Sequence, residues 1–76
     1  MDTRKLSTIA LEIAEDWRTV NFAAEPYLTA MSELDSIEDN YYLDDARSVV
    51  IYFLSNSSTW RGDTARRIKA ELKGLL

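Results

Sequence analysis

Seventy-six residues with 46% hydrophobic and 29% charged side chains and a net charge of −4 have the balance of one soluble domain, residues 1–76, rather than of a disordered chain. The absence of Cys and His excludes disulfides, thiolate nucleophiles, Cys/His zinc sites and the commonest acid–base side chain. The longest apolar run, Val49 to Leu54, falls far short of the roughly 20 residues of a bilayer span, and the opening residues lack the apolar core of an export signal.

A first helix is expected over about residues 3–22. Leu6, Ala10, Ile13, Trp17 and Val20 recur at helical spacing, Ile9 and Ala14 widen the stripe, and Asp2 or Thr3 is placed to cap it. Pro26 interrupts that helix and suits the first turn of a second, over about 26–36, with Tyr27, Met31 and Leu34 in register. Residues 37–43 read as a connection rich in Asp and Asn around Tyr41 and Tyr42. A third helix follows over about 44–56, opened by the acids at Asp44 and Asp45. Its run from Val49 to Leu54 suits a buried strand as well as a buried helix. Helix is chosen because a lone strand has nothing to pair with. Asn56 to Thr59 supply turn chemistry, and Ala65, Ile68, Leu72 and Leu75 mark a fourth helix over about 59–74. The expected architecture is therefore all-α, a small four-helix bundle.

Charge is unevenly spread along the chain. Between Thr19 and Ala46 there are seven acids and no base, whereas from Arg61 onward five bases face only Asp63 and Glu71. Opposite patches of this kind usually serve solubility, with exposed pairs worth about 0–1 kcal/mol. The sharper reading takes the acidic loop with Tyr41 and Tyr42 as a recognition surface, since tyrosine joins apolar area to a polar tip. Arg66, Lys69 and Lys73 fall on one helical face beside Arg67, which is spaced to pair with Glu71, and such a face suits phosphates. A sequence pI of 4.6 opposes polyanion binding, so nucleic acid is the alternative and not the first reading.

Other patterns carry less. Arg61-Gly62-Asp63 and Asn56-Ser57-Ser58 spell adhesion and glycosylation strings that short sequences contain by chance. The acids from Asp35 to Asp45 lack the alternation and central glycine of a calcium loop. No nucleophile, base and orienting group can be assembled, so no enzyme, cofactor or metal is expected. Trp17 belongs to the apolar stripe of the first helix. Trp60, just after the Ser/Thr turn and followed by Arg61, is the candidate anchor, because Trp and Arg are enriched among interface hot spots.

The strings LDSIEDNYY, DDARSVVIYFLSN and TWRGDTARRIKAEL, between Leu34 and Leu72, resemble small proteins encoded by bacteriophages of actinobacteria, mycobacteriophages among them. That family has no assigned activity and no catalytic residues to carry over. The resemblance implies a phage gene expressed in the bacterial cytoplasm, and small non-structural phage proteins often bind and redirect a host protein. The expectation is thus a non-enzymatic protein-interaction module that binds a host or phage protein through Tyr41, Tyr42, Trp60, Arg61, Arg66 and Arg67. The alternatives are a nucleic-acid-associated factor using Arg66, Arg67, Lys69 and Lys73, and a homo-oligomeric assembly component. A homodimer is in keeping with the small size.

Overall fold

A computed structural model describes residues 3–76. Its order is α1 (Leu6–Asp16), α2 (Glu25–Met31), β1 (Asn40–Tyr41), β2 (Asp44–Asp45), α3 (Ala46–Ser55) and α4 (Asp63–Leu75). The chain is mostly helical, and the Val49–Leu54 run is helix. It also contains an antiparallel hairpin that the expected all-α class omits, with Asn40 opposite Asp45 and Tyr41 opposite Asp44.

Each helix is shorter than its spacing suggested. α1 ends at Asp16, because Trp17 leaves the helical region (φ −94°, ψ 81°) while its side chain stays buried. Val20 also packs on the core from the loop, so the apolar period runs on past the helix. α2 stops at Met31, yet Leu34 remains buried in the turn that follows. The fourth helix begins at Asp63 and not near residue 59. Gly62, its N-cap, takes φ 111°, a region open to glycine and strained for other residues.

The helix ends are closed by both distant and local partners. No side chain caps α1, whose N-cap is Lys5; of the two expected caps, Thr3 stands two residues before it and Asp2 lies outside the described residues. Instead the first two amides of α1, on Leu6 and Ser7, donate to the carbonyls of Asp35 and Leu34 at 3.0 and 2.8 Å. α3 has a side-chain cap, in which Asp45 accepts from the Ser48 amide at 2.7 Å, one residue later than the expected start. Arg47 reaches the other way, donating to the Leu76 carbonyl beyond the end of α4 (3.0 Å) and to Glu38 (3.0 Å). A cation there complements the negative pole of the helix.

The core is built from Leu6, Ile9 and Ile13 of α1, Leu28 and Met31 of α2, Val50 and Phe53 of α3, and Ile68 and Leu72 of α4. Trp17 and Trp60 close one end of it, with rings stacked at 5.8 Å and 11°. Phe53 meets both edge-on, at 6.2 and 6.3 Å. No helix among the described residues is long and apolar enough to cross a membrane.

Candidate functional site

Two regions carry the side chains that the sequence pointed to. They lie at opposite ends of α3, whose ten residues span about 15 Å. The hairpin with Tyr41 and Tyr42 precedes α3, and the turn with Trp60 and Arg61 follows it. The expected contact residues therefore do not form one continuous patch.

At the Trp60 end, most of the candidates are engaged within the chain. Trp60 is only 2% exposed, and its Nε1 donates to Asp16 at 2.8 Å. It belongs to the core, which corrects its expected role as a surface anchor. Arg61 next to it is exposed. Lys69 turns back beneath the α3–α4 loop, donating from Nζ to the carbonyls of Ser57 (2.8 Å) and Trp60 (2.7 Å). The ammonium also lies 5.8 Å from the centre of the Trp60 ring. Burial lowers the Lys69 pKa, and repulsion from Lys73 and Arg61 adds to the shift. Lys69 thus holds a loop together and is not presented with Arg66 and Lys73 as a phosphate-binding face.

The arginines follow the same pattern. Arg66 pairs with Asp63 within α4. Arg67 pairs with Glu12 of α1 and not with Glu71, the partner its spacing suggested. Glu71 instead takes a two-pronged bond from Arg4, Nε to Oε2 at 2.8 Å and a terminal nitrogen to Oε1 at 2.5 Å. The other arm of Arg4 reaches Glu12 at 2.8 Å. Arg4, Glu12, Arg67 and Glu71 therefore form a network that binds the start of the chain and α1 to α4. The Arg4 guanidinium holds Glu71 below the ordinary carboxylate range, Arg67 and Arg4 do the same for Glu12, and both carboxylates raise Arg4.

The hairpin end is different. Its two-residue turn puts Tyr42 at φ 55°, the only positive φ among the described non-glycine residues. A bulky side chain in that region costs roughly 1–3 kcal/mol, and such strain persists where function or surrounding structure requires it. The turn leaves Tyr42 85% and Leu43 102% exposed. Tyr41 packs inward, meeting the Tyr42 ring edge-on at 4.8 Å, and its hydroxyl donates to Glu33 at 3.3 Å. Partial desolvation and the Glu33 carboxylate raise the Tyr41 pKa.

Tyr41 also forms one wall of an open groove of about 450 Å³, with Phe22, Glu25, Pro26 and Thr29 as the others. Phe22, placed by its spacing at the end of the first helix, stands instead in the α1–α2 loop and is 90% exposed. The loop is pinned by Asn21, whose side chain accepts from the Ala23 amide (3.1 Å) and donates to the Asn56 carbonyl (3.3 Å). A second groove, between α1 and α2, is lined by Ala10, Leu11, Ala14, Leu28 and Thr29 among others, so Thr29 is the ridge between the two. Phe22 and Leu43 were missed as site residues. Their one sequence signal is that each is a large apolar residue in a segment that turn residues otherwise fill.

Among the described residues, no group of three or more His, Cys, Asp or Glu is arranged to hold a metal ion. Comparison with protein-family models, with curated proteins and with solved structures finds no match.

Proposed function

We propose that this chain is a non-enzymatic protein-interaction module, a small helical bundle that presents the hairpin end to a partner protein. One observation carries the reading: Phe22, 90% exposed, and Tyr41 wall one groove, and the hairpin turn that follows Tyr41 leaves Tyr42 85% and Leu43 102% exposed. Isolated exposed apolar residues need no explanation, but a clustered set rimmed by polar groups is the usual mark of a contact surface. The contact set becomes Tyr41 and Tyr42 with Phe22 and Leu43 added. Arg61, Arg66 and Arg67 are peripheral, and Trp60 supports the fold. In keeping with the phage resemblance, the partner is a host or phage protein met in the bacterial cytoplasm.

The nucleic-acid alternative loses support because Arg66, Arg67 and Lys69 already hold partners within the chain. The test is affinity capture from actinobacterial lysate, with and without nuclease, using the natural chain and a Phe22→Ala, Leu43→Ser variant. A protein retained by the natural chain, insensitive to nuclease and lost from the variant, supports the module. Retention that nuclease abolishes moves the function to α4 and nucleic acid, and retention unaffected by the variant removes the hairpin end from consideration.

A further inference from the structure

We infer that the groove between α2 and the hairpin receives a short basic amphipathic helix from the partner protein. This deepens the interaction reading and rests on it. The occupant is argued from charge, from backbone chemistry and from what a second copy of this chain would meet.

Charge comes first. Glu25 lines the groove, Glu33 accepts the Tyr41 hydroxyl at its side, and Asp44 is the cross-strand partner of Tyr41. None of these three forms an ion pair among the described residues. Of the bases that flank this stretch in sequence, Arg47 is committed to Glu38 and to the end of α4, and Arg18 stands exposed four residues before Phe22, outside the groove lining. The groove lining thus includes an acid and neither Lys nor Arg, with further acids beside it, which selects a partner carrying Lys or Arg beside its apolar side chains.

The backbone argument selects a helix. Each hairpin strand is two residues long, too short to template an added strand. The groove is walled by Phe22, Glu25, Pro26, Thr29 and Tyr41, of which only Tyr41 lies in a strand, so an extended segment lying there would find little backbone to pair with. A helix satisfies its own amides and carbonyls internally and presents its apolar stripe to Phe22, Pro26 and Tyr41. A second copy of this chain is disfavoured as the occupant. A two-fold contact through this face would set Glu25, Glu33 and Asp44 of one copy against the same acids of the other.

The test uses a labelled helical peptide of leucine and lysine in amphipathic register, and the same peptide with glutamate at every lysine. Fluorescence anisotropy is expected to show the lysine peptide binding at least tenfold more tightly. Its amide NMR shifts should centre on Phe22, Thr29, Tyr41 and Leu43. Phe22→Ala, which leaves the charge unchanged, should weaken binding about tenfold. Glu25→Gln should weaken it more than Asp63→Asn, which changes charge equally at the start of α4. Absent binding, indifference to Phe22→Ala, equal effects of the two charge changes, or shifts confined to another face each overturn the proposal. A dimer in sedimentation that Phe22→Ala dissociates also overturns it and gives the face to a second copy. If lysate capture still depends on Phe22 and Leu43 while the peptide fails, the interaction module stands and the basic helix falls.

Discussion

Along the α1–α4 side, Arg4, Arg67 and Lys69 each grip a carboxylate or a carbonyl of the same chain, whereas around α2 and the hairpin Glu25, Glu33 and Asp44 stand beside exposed apolar side chains. Both regions carry many charged side chains in sequence, and they differ in what those charges hold. Cations that look like a binding stripe are used to assemble the fold, whereas in the acidic run Glu38, Asp39 and Asp45 hold Arg47 and backbone amides while Glu25 and Asp44 hold no ion pair among the described residues. A charge run read from sequence therefore says where a surface is polar and not whether that surface is free.

The comparison breaks most visibly at Trp60. If the α1–α4 side is structural, Trp60→Ala should cost about 3–5 kcal/mol by loss of ring packing and of the bond to Asp16. Much of the stability of so small a domain would go with it. Urea unfolding followed by circular dichroism measures this, and a cost below about 1 kcal/mol would return Trp60 to the surface. Arg4→Ala comes next. Its bonds to Glu71 are charge-assisted, but the two side chains are 35% and 27% exposed, so a loss of about 1 kcal/mol is expected, shrinking in high salt.

Acid should sharpen the same contrast. Glu12 and Glu71 are held below their ordinary value of 4.5, so the folded state gives up these protons more readily than the unfolded chain. Their contribution is complete above that pH and is lost as the pH falls through the lowered folded values. Unfolding midpoints measured across that range should decline, and Arg4→Ala should flatten the decline. An unchanged acid limb in the variant would mean that other carboxylates control it.

The smallest effect is expected at the hairpin. Tyr42→Gly relieves the positive φ but loses the contact with Tyr41, so stability should move by less than about 1 kcal/mol. Binding of the leucine–lysine peptide should nevertheless weaken, because an exposed aromatic is gone. A large stability loss with unchanged binding would reverse the roles assigned to the two regions.

α1 and α4 were legible because Leu6, Ile9, Ile13 and Ile68, Leu72 repeat at a spacing that a helix buries on one face, whereas the α3 run was assigned to helix by elimination. The helix ends were not legible. Trp17 and Leu34 are buried from loops at positions that continue the helical period, so periodicity could not see the chain leave the helix. The hairpin escaped because two-residue strands have no period, and its turn lacks the glycine or asparagine that usually marks one. Tyr41 and Tyr42 were legible as unusual residues in an acidic loop. Phe22 was hidden by an overextended helix, and the commitments of Lys69 and Arg67 depend on partners far away in sequence.

The bonds from the Leu6 and Ser7 amides to the carbonyls of Asp35 and Leu34 bear on the order in which the molecule can assemble. An isolated helix of eleven residues is below the length that is stable alone in water, and this one has no side-chain cap to help it start. Its first turn is completed by the segment that follows α2. On the ribosome, α1 would emerge early and remain unfinished until that segment had also left the exit tunnel. The first turn of α1 must therefore wait for the segment after α2 before its amides are satisfied.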